Sequence, residues 1–158
     1  MILLTPTESE LDLARNRASD MGILPSSRLK GRGNIIGFLG EILVMRYCGG
    51  TPLDDFDSDI LLNGLRVDVK TKSCSSTPKG SYLCSVMSYQ IQNQTDAYIF
   101  TRINLTAKAV WLCGFITKDR FLQEAIPFKK GDLDDGFVVQ EDCLSISIFD
   151  LDPVPVNE

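Results

Sequence analysis

The chain has no histidine in 158 residues. That absence excludes Ser-His-Asp and Cys-His hydrolases, histidine-zinc centres, HNH-type nucleases and any imidazole general base. Cysteine is sparse and poorly placed for metal. Five residues (Cys48, Cys74, Cys84, Cys113, Cys143) are an odd number, widely spaced, with no Cys-x-x-Cys pair. Neither a disulfide framework nor a zinc ribbon fits them, and small buried hydrophobes are the expected role. No apolar run approaches the roughly 18 residues of a membrane span. The longest, Ile35 to Met45, is interrupted by Glu41. The start, Met1-Ile-Leu-Leu, runs into Thr, Pro and acidic residues rather than a signal sequence, so a cytoplasmic protein without membrane attachment is expected. Any hydrolytic chemistry must rest on carboxylates, lysine and a hard metal ion.

An apolar content of 44% and a charged content of 23% suit a globular chain that buries a real core, read as one domain over 1–158 with a tail fraying from about 153. The net charge of −5 is uneven: residues 111–158 hold ten acids against four bases, whereas residues 1–110 are nearly balanced. Local charge governs phosphate contact more than this sum does. Thr7 with Glu10 predicts a capped helix to about Met21. A loop over 22–33 carries Arg28, Lys30 and Arg32. Asn34 is expected to cap a second helix ending at Cys48 before Gly49-Gly50. Strands are expected at 97–103, 109–115, 136–139 and 144–149, with a short helix, 118–125, capped by Thr117. Residues 82–94 have no clear pattern.

The most informative segment is Asp57-Ser-Asp-Ile-Leu-Leu-Asn-Gly-Leu-Arg-Val-Asp-Val-Lys-Thr-Lys72. Asn63-Gly64 predicts a two-residue hairpin turn between strands 58–62 and 65–72, because both turn positions need positive φ. The register pairs Leu62 with Leu65, Ile60 with Val67 and Asp59 with Asp68. Side chains alternate along each strand, so Asp57, Asp59, Arg66, Asp68, Lys70 and Lys72 share one face. Facing carboxylates repel unless a cation lies between them. Glu41 has Gly37, Phe38, Val44 and Met45 as helical neighbours, an apolar setting in which a carboxylate needs a partner. That partner is either a metal or a structural ion pair with Arg46 or Lys70. Gly37 and Gly40 would let its helix approach a sheet closely.

A helical Glu41, then Asp59 on one strand, then Asp68-Val69-Lys70 on the next, resembles the PD-(D/E)XK nuclease superfamily over about Gly37 to Lys72. Gly114 to Phe121 is similar to segments of its small phage-type members. Ser58 stands where the motif name implies proline. The resemblance implies an α/β restriction-endonuclease-like fold, a mixed β-sheet flanked by helices, in a bacterial or phage-infected host cell. It implies Mg²⁺ or Mn²⁺ held by Asp59, Asp68, the Val69 carbonyl and Glu41, with Lys70 orienting the attacking water; no organic cofactor is expected. The substrate is then DNA, cut by hydrolysis of phosphodiester bonds, with Arg28, Lys30, Arg32, Lys72 and Gln90 as candidate nucleic-acid contacts and a homodimer expected. Asp57 replaces Asp59 if the register slips by two. The rival readings are a non-catalytic DNA-binding or assembly protein that retains the fold, and an acidic DNA mimic. Trp111 and Tyr98 read as core.

Overall fold

Thr7 opens the first helix through the expected capping box. Its hydroxyl accepts from the Glu10 N–H, and the Glu10 carboxylate accepts from the Thr7 N–H at 2.7 Å. The helix, α1 (Glu8–Met21), follows a short strand that the sequence reading missed, β1 (Ile2–Leu4). A computed structural model of the chain describes residues 1–22, 32–53, 55–134 and 136–156. Arg28 and Lys30 therefore lie outside the described residues. The second helix, α2 (Arg32–Cys48), begins before Asn34. Asn34 is thus not its cap, and instead its side-chain amide donates to the Gly22 carbonyl at 3.1 Å. The end of α2 is as expected, with Gly49 at φ 74°.

The chain continues through β2 (Thr51–Pro52), β3 (Ile60–Leu62), β4 (Leu65–Ser73), β5 (Leu83–Met87), β6 (Ala97–Asn104) and β7 (Ala109–Thr117). Then come α3 (Lys118–Glu124), β8 (Ile126–Phe128), β9 (Leu133–Asp134), β10 (Phe137–Val138) and β11 (Cys143–Ser147). The Asn-Gly hairpin has the predicted register, Leu62 with Leu65 and Ile60 with Val67, and Asn63 takes φ 51°. The six-stranded sheet runs β1-β7-β6-β4-β3-β2, and only β4 and β6 are parallel. A parallel pair needs a long crossover. Here it passes through β5 and a 3-10 turn at Ser88–Gln90, inside the stretch that had no readable pattern.

Strand alternation separates two cores. Val67, Val69, Ile99, Ile103 and Leu112 face α1 and α2, where Leu39, Leu43 and Val44 are fully buried. Tyr98, Phe100, Trp111 and Ile116 face the other way, against Phe121 of α3 and a three-stranded sheet, β5-β11-β8. The architecture is mixed α/β: a helical layer, the main sheet, then a smaller sheet with α3. The tail does not fray at 153. Asp152 bridges to Phe115, and Val154 is buried in the helical-side core. Among the described residues no helix is long and apolar enough to cross a membrane.

Gly40 sets the distance from α2 to the sheet. A Cβ there would land on Thr71 Oγ1 and lie 3.0 Å from Thr101 Oγ1, two hydroxyls already hydrogen-bonded to each other at 2.8 Å. Among the described residues nothing lies within 4 Å of a Cβ placed at Gly37, which plays no such part. Gly40→Ala is expected to cost about 1–3 kcal/mol in chemical denaturation, the usual range for overpacking. Thr71→Ala in the same chain should recover part of that loss, whereas Gly37→Ala should not destabilise.

Candidate metal centre

The site lies where β3 leaves β4. Ladder pairing ends at Ile60 with Val67, extended by one bond from the Asp59 N–H to the Val67 carbonyl at 2.9 Å. Before Asp59 the chain is drawn away to the 93–96 loop. Ser58 Oγ bonds the Gln94 carbonyl and Thr95 Oγ1, Thr95 Oγ1 donates to the Asp57 carbonyl, and the Gln94 N–H donates to Asp57 Oδ2. From residue 68 onward, β4 has β6 on one side and, among the described residues, no strand on the other.

This open edge collects the four residues singled out in the sequence. Asp59 is not a ladder partner of Asp68, as the simple register implied, although the two carboxyls come within hydrogen-bonding reach of each other. Its Oδ2 lies in line with the edge and accepts from the Val69 N–H at 2.7 Å, continuing the ladder with a side chain. A strand residue presents its N–H and C=O to the same edge, so the Val69 carbonyl faces the same opening. Asp68 and Lys70 project from the face opposite α2 and pair at 2.8 Å, both largely buried. Glu41 comes from α2, which packs on the other face. Three carboxylates thus approach one strand edge from three directions.

Electrostatics record the crowding. Burial, then the charges of Glu41 and Asp68, push the Asp59 carboxyl up to about 8, partly opposed by the Val69 N–H. Burial pushes Glu41 up to about 7, with Asp68 adding to the rise and Arg17 and Lys70 opposing it. Neither Glu41 nor Asp59 makes an ion pair within 4 Å among the described residues. Arg46, a candidate partner for Glu41, pairs with Glu10 instead, at 2.8 Å. The structural ion-pair alternative for Glu41 therefore has no direct partner here.

Three carboxylates and a backbone carbonyl form an all-oxygen donor set, which fits a hard divalent ion such as Mg²⁺ or Mn²⁺. The donors are not yet closed around one point. Among the described residues no group of three or more His, Cys, Asp or Glu side chains stands ready to hold an ion. The Lys70 ammonium engages Asp68 Oδ2 and the Val69 N–H engages Asp59 Oδ2, one oxygen of each carboxylate.

The remaining candidates divide. Gln90 lines a cavity of about 120 Å³ together with Lys70 and Thr101, beside the site. Lys72 turns its ammonium to Ser85 Oγ at 2.9 Å, away from the carboxylates. Asp57 and Arg66 serve loops: Asp57 receives the Gln94 N–H, and Arg66 pairs with Asp55 and donates to the Gln94 carbonyl. The two-residue slip that would exchange Asp57 for Asp59 is not the register formed. Arg32 opens α2, and its side chain lies outside the described part of the structure.

Two residues near the site were not read as part of it. Arg17 on α1 acts on Glu41, but a lone arginine on a helix carries no sequence signal for that. Tyr98 pairs with Asp68 across the parallel ladder, and its buried hydroxyl has no hydrogen-bond partner among the described residues. Burial and the Asp68 charge push that phenol up to about 12. An aromatic residue in an apolar strand reads as core, which Tyr98 also is. No protein-family model matches the chain, and no characterised protein matches it in sequence.

Proposed function

We propose that this protein is a metal-dependent deoxyribonuclease built on a restriction-endonuclease-like core, cutting phosphodiester bonds endonucleolytically. The observation that supports the reading best is the meeting of Glu41, Asp59, Asp68 and Lys70 at the open edge of β4. Asp59, Asp68, the Val69 carbonyl and Glu41 are the residues that would hold Mg²⁺ or Mn²⁺. When bound, the ion lowers the pKa of its water and offsets charge developing on the phosphate.

The chain's own groups do the rest. Asp68 holds Lys70 in place through their 2.8 Å pair. Lys70 orients the attacking water and places its charge against the scissile phosphate. The Val69 N–H fixes Asp59 Oδ2 at the strand edge. The smaller sheet and α3 cover the face from which Lys70 projects, which limits water beside it. A homodimer would bring two such sites to opposite strands of a duplex.

The test is incubation of supercoiled plasmid, single-stranded and branched DNA with Mg²⁺ or Mn²⁺, against an EDTA control. Nicking or linearisation that requires the ion is expected. A folded wild-type protein that binds these DNAs and cuts none of them would favour the non-catalytic binding role.

A further inference from the structure

Beyond Lys70 along β4 the structure contains a second cluster of positive charge that the proposed cleavage does not use. Lys72 and Arg102 line a cavity of about 620 Å³, bounded also by Ser75, Tyr82, Asp134 and Phe137. Both cations are only partly exposed, and neither forms an ion pair within 4 Å among the described residues. They sit close enough to repel each other. Burying charge without a partner is costly, so such a pair is expected to serve a ligand of opposite sign.

A donor count sharpens this. The Lys72 ammonium has three N–H donors and two protein acceptors, Ser85 Oγ at 2.9 Å and the Leu83 carbonyl at 3.4 Å. Ser85 is itself fixed by Ser145 at 2.8 Å. Arg102 has five donors. One bonds the Leu83 carbonyl at 2.8 Å, and its Nε is buried with no hydrogen-bond partner among the described residues. The guanidinium lies 5.1 Å over the Tyr82 ring, which holds its plane. Among the described residues Asp134 is the acid on this cavity's wall, against two cations, and Glu141 lines a neighbouring cavity that shares Lys72. Planar, bidentate donors beside a point charge match a phosphate group.

The walls say what the phosphate is attached to. The hairpin of β9 and β10 bounds the cavity and carries Phe137, whose ring is 78% exposed at its mouth. An exposed aromatic face beside a phosphate site suits a stacked base. The volume falls in the usual range for small-ligand pockets. The cavity also adjoins the candidate metal centre: Lys72 and Arg102 line the smaller cavity that reaches Lys70. Lys70 and Lys72, two residues apart on an extended strand, are separated by roughly 7 Å.

We propose that the Lys72/Arg102 cavity binds a phosphomonoester carried on a nucleoside, either the phosphorylated end of a DNA strand or a free mononucleotide. The strand-end source rests on the nuclease reading; the anion site itself does not.

The test is calorimetric titration in EDTA, so that divalent metal at the carboxylates plays no part. Thymidine, inorganic phosphate, thymidine 5′-monophosphate and a short oligonucleotide with a 5′-phosphate or a 5′-hydroxyl are compared. The monophosphate is expected to bind at least tenfold more tightly than thymidine or inorganic phosphate. Arg102→Gln and Lys72→Gln, each checked for a native melting curve, should weaken it at least tenfold, and Asp68→Asn should leave it intact. A preference for the 5′-phosphorylated oligonucleotide identifies a strand end; binding of the mononucleotide with exclusion of both oligonucleotides identifies a free nucleotide. Equal binding of thymidine and its monophosphate, or affinity unchanged in both charge variants, would overturn the proposal. Binding of the monophosphate by a wild-type protein that cuts none of the DNAs with Mg²⁺ or Mn²⁺ would count against the nuclease reading alone.

Discussion

Asp68→Asn is expected to abolish metal-dependent cleavage, lowering the single-turnover rate by about 10³-fold or more, which is about 4 kcal/mol of transition-state stabilisation. The substitution keeps the size of the side chain and removes its charge. Two functions then fail together, because Asp68 is both a proposed ion ligand and the group that holds the Lys70 ammonium at 2.8 Å. The fold should survive, since one of three mutually repelling carboxylates becomes neutral. Lys70→Met should produce a loss of similar size through the second function alone. A metal titration separates the two. Asp68→Asn should shift the ion concentration needed for residual activity upward, whereas Lys70→Met should leave it near the wild-type value. Cleavage at the wild-type rate by purified Asp68→Asn would place the active site elsewhere.

How far this site was legible in the sequence depends on the range of the interactions that build it. The Asn63-Gly64 turn fixes the β3–β4 register locally, so Asp68, Val69 and Lys70 could be placed by alternation. The Thr7–Glu10 box and the β6–β7 hairpin are equally local, and they form as expected. Glu41 was placed near the strands only by its apolar helical setting. Asp59 shows the limit of that reasoning. Alternation puts it on the sheet face, but Ser58, Asp57 and Thr95 bind across about 37 residues of sequence and end the pairing there. No local pattern announces that network. The same holds for Arg102, which reads as an ordinary strand residue until the β4–β6 parallel pairing brings it beside Lys72. β1 escaped notice because three residues are too few to show a period, and its edge is satisfied by the centre of β7.

The pH dependence of stability follows from the same carboxylates. Glu41 and Asp59 have folded-state pKa values raised to about 7 and about 8, above the ordinary range near 4. A folded state that binds protons more tightly than the unfolded one loses stability as pH rises. The contribution is complete below about pH 4 and disappears as pH climbs through the folded values. In EDTA, the melting temperature should therefore fall between pH 5 and pH 8. The missing histidines make this window unusually clean, because no imidazole titrates in it. Each pKa unit that survives relaxation is about 1.4 kcal/mol. Two such units across the pair would lower the melting temperature by about 5–10 °C in a chain of this size. Millimolar Mn²⁺ should reverse the fall at pH 8 and do little at pH 5, where protons compete for the same oxygens. At a hundredfold excess over its dissociation constant an ion returns about 2.7 kcal/mol, enough to offset the loss. Asp59→Asn should flatten the metal-free profile and remove the Mn²⁺ effect together. A metal-free melting temperature that is constant or rises from pH 5 to pH 8 would show that these carboxylates do not share one buried edge. A falling profile that Mn²⁺ leaves unchanged would keep the cluster and reject the ion, because both effects draw on the same oxygens and only the second requires them to converge.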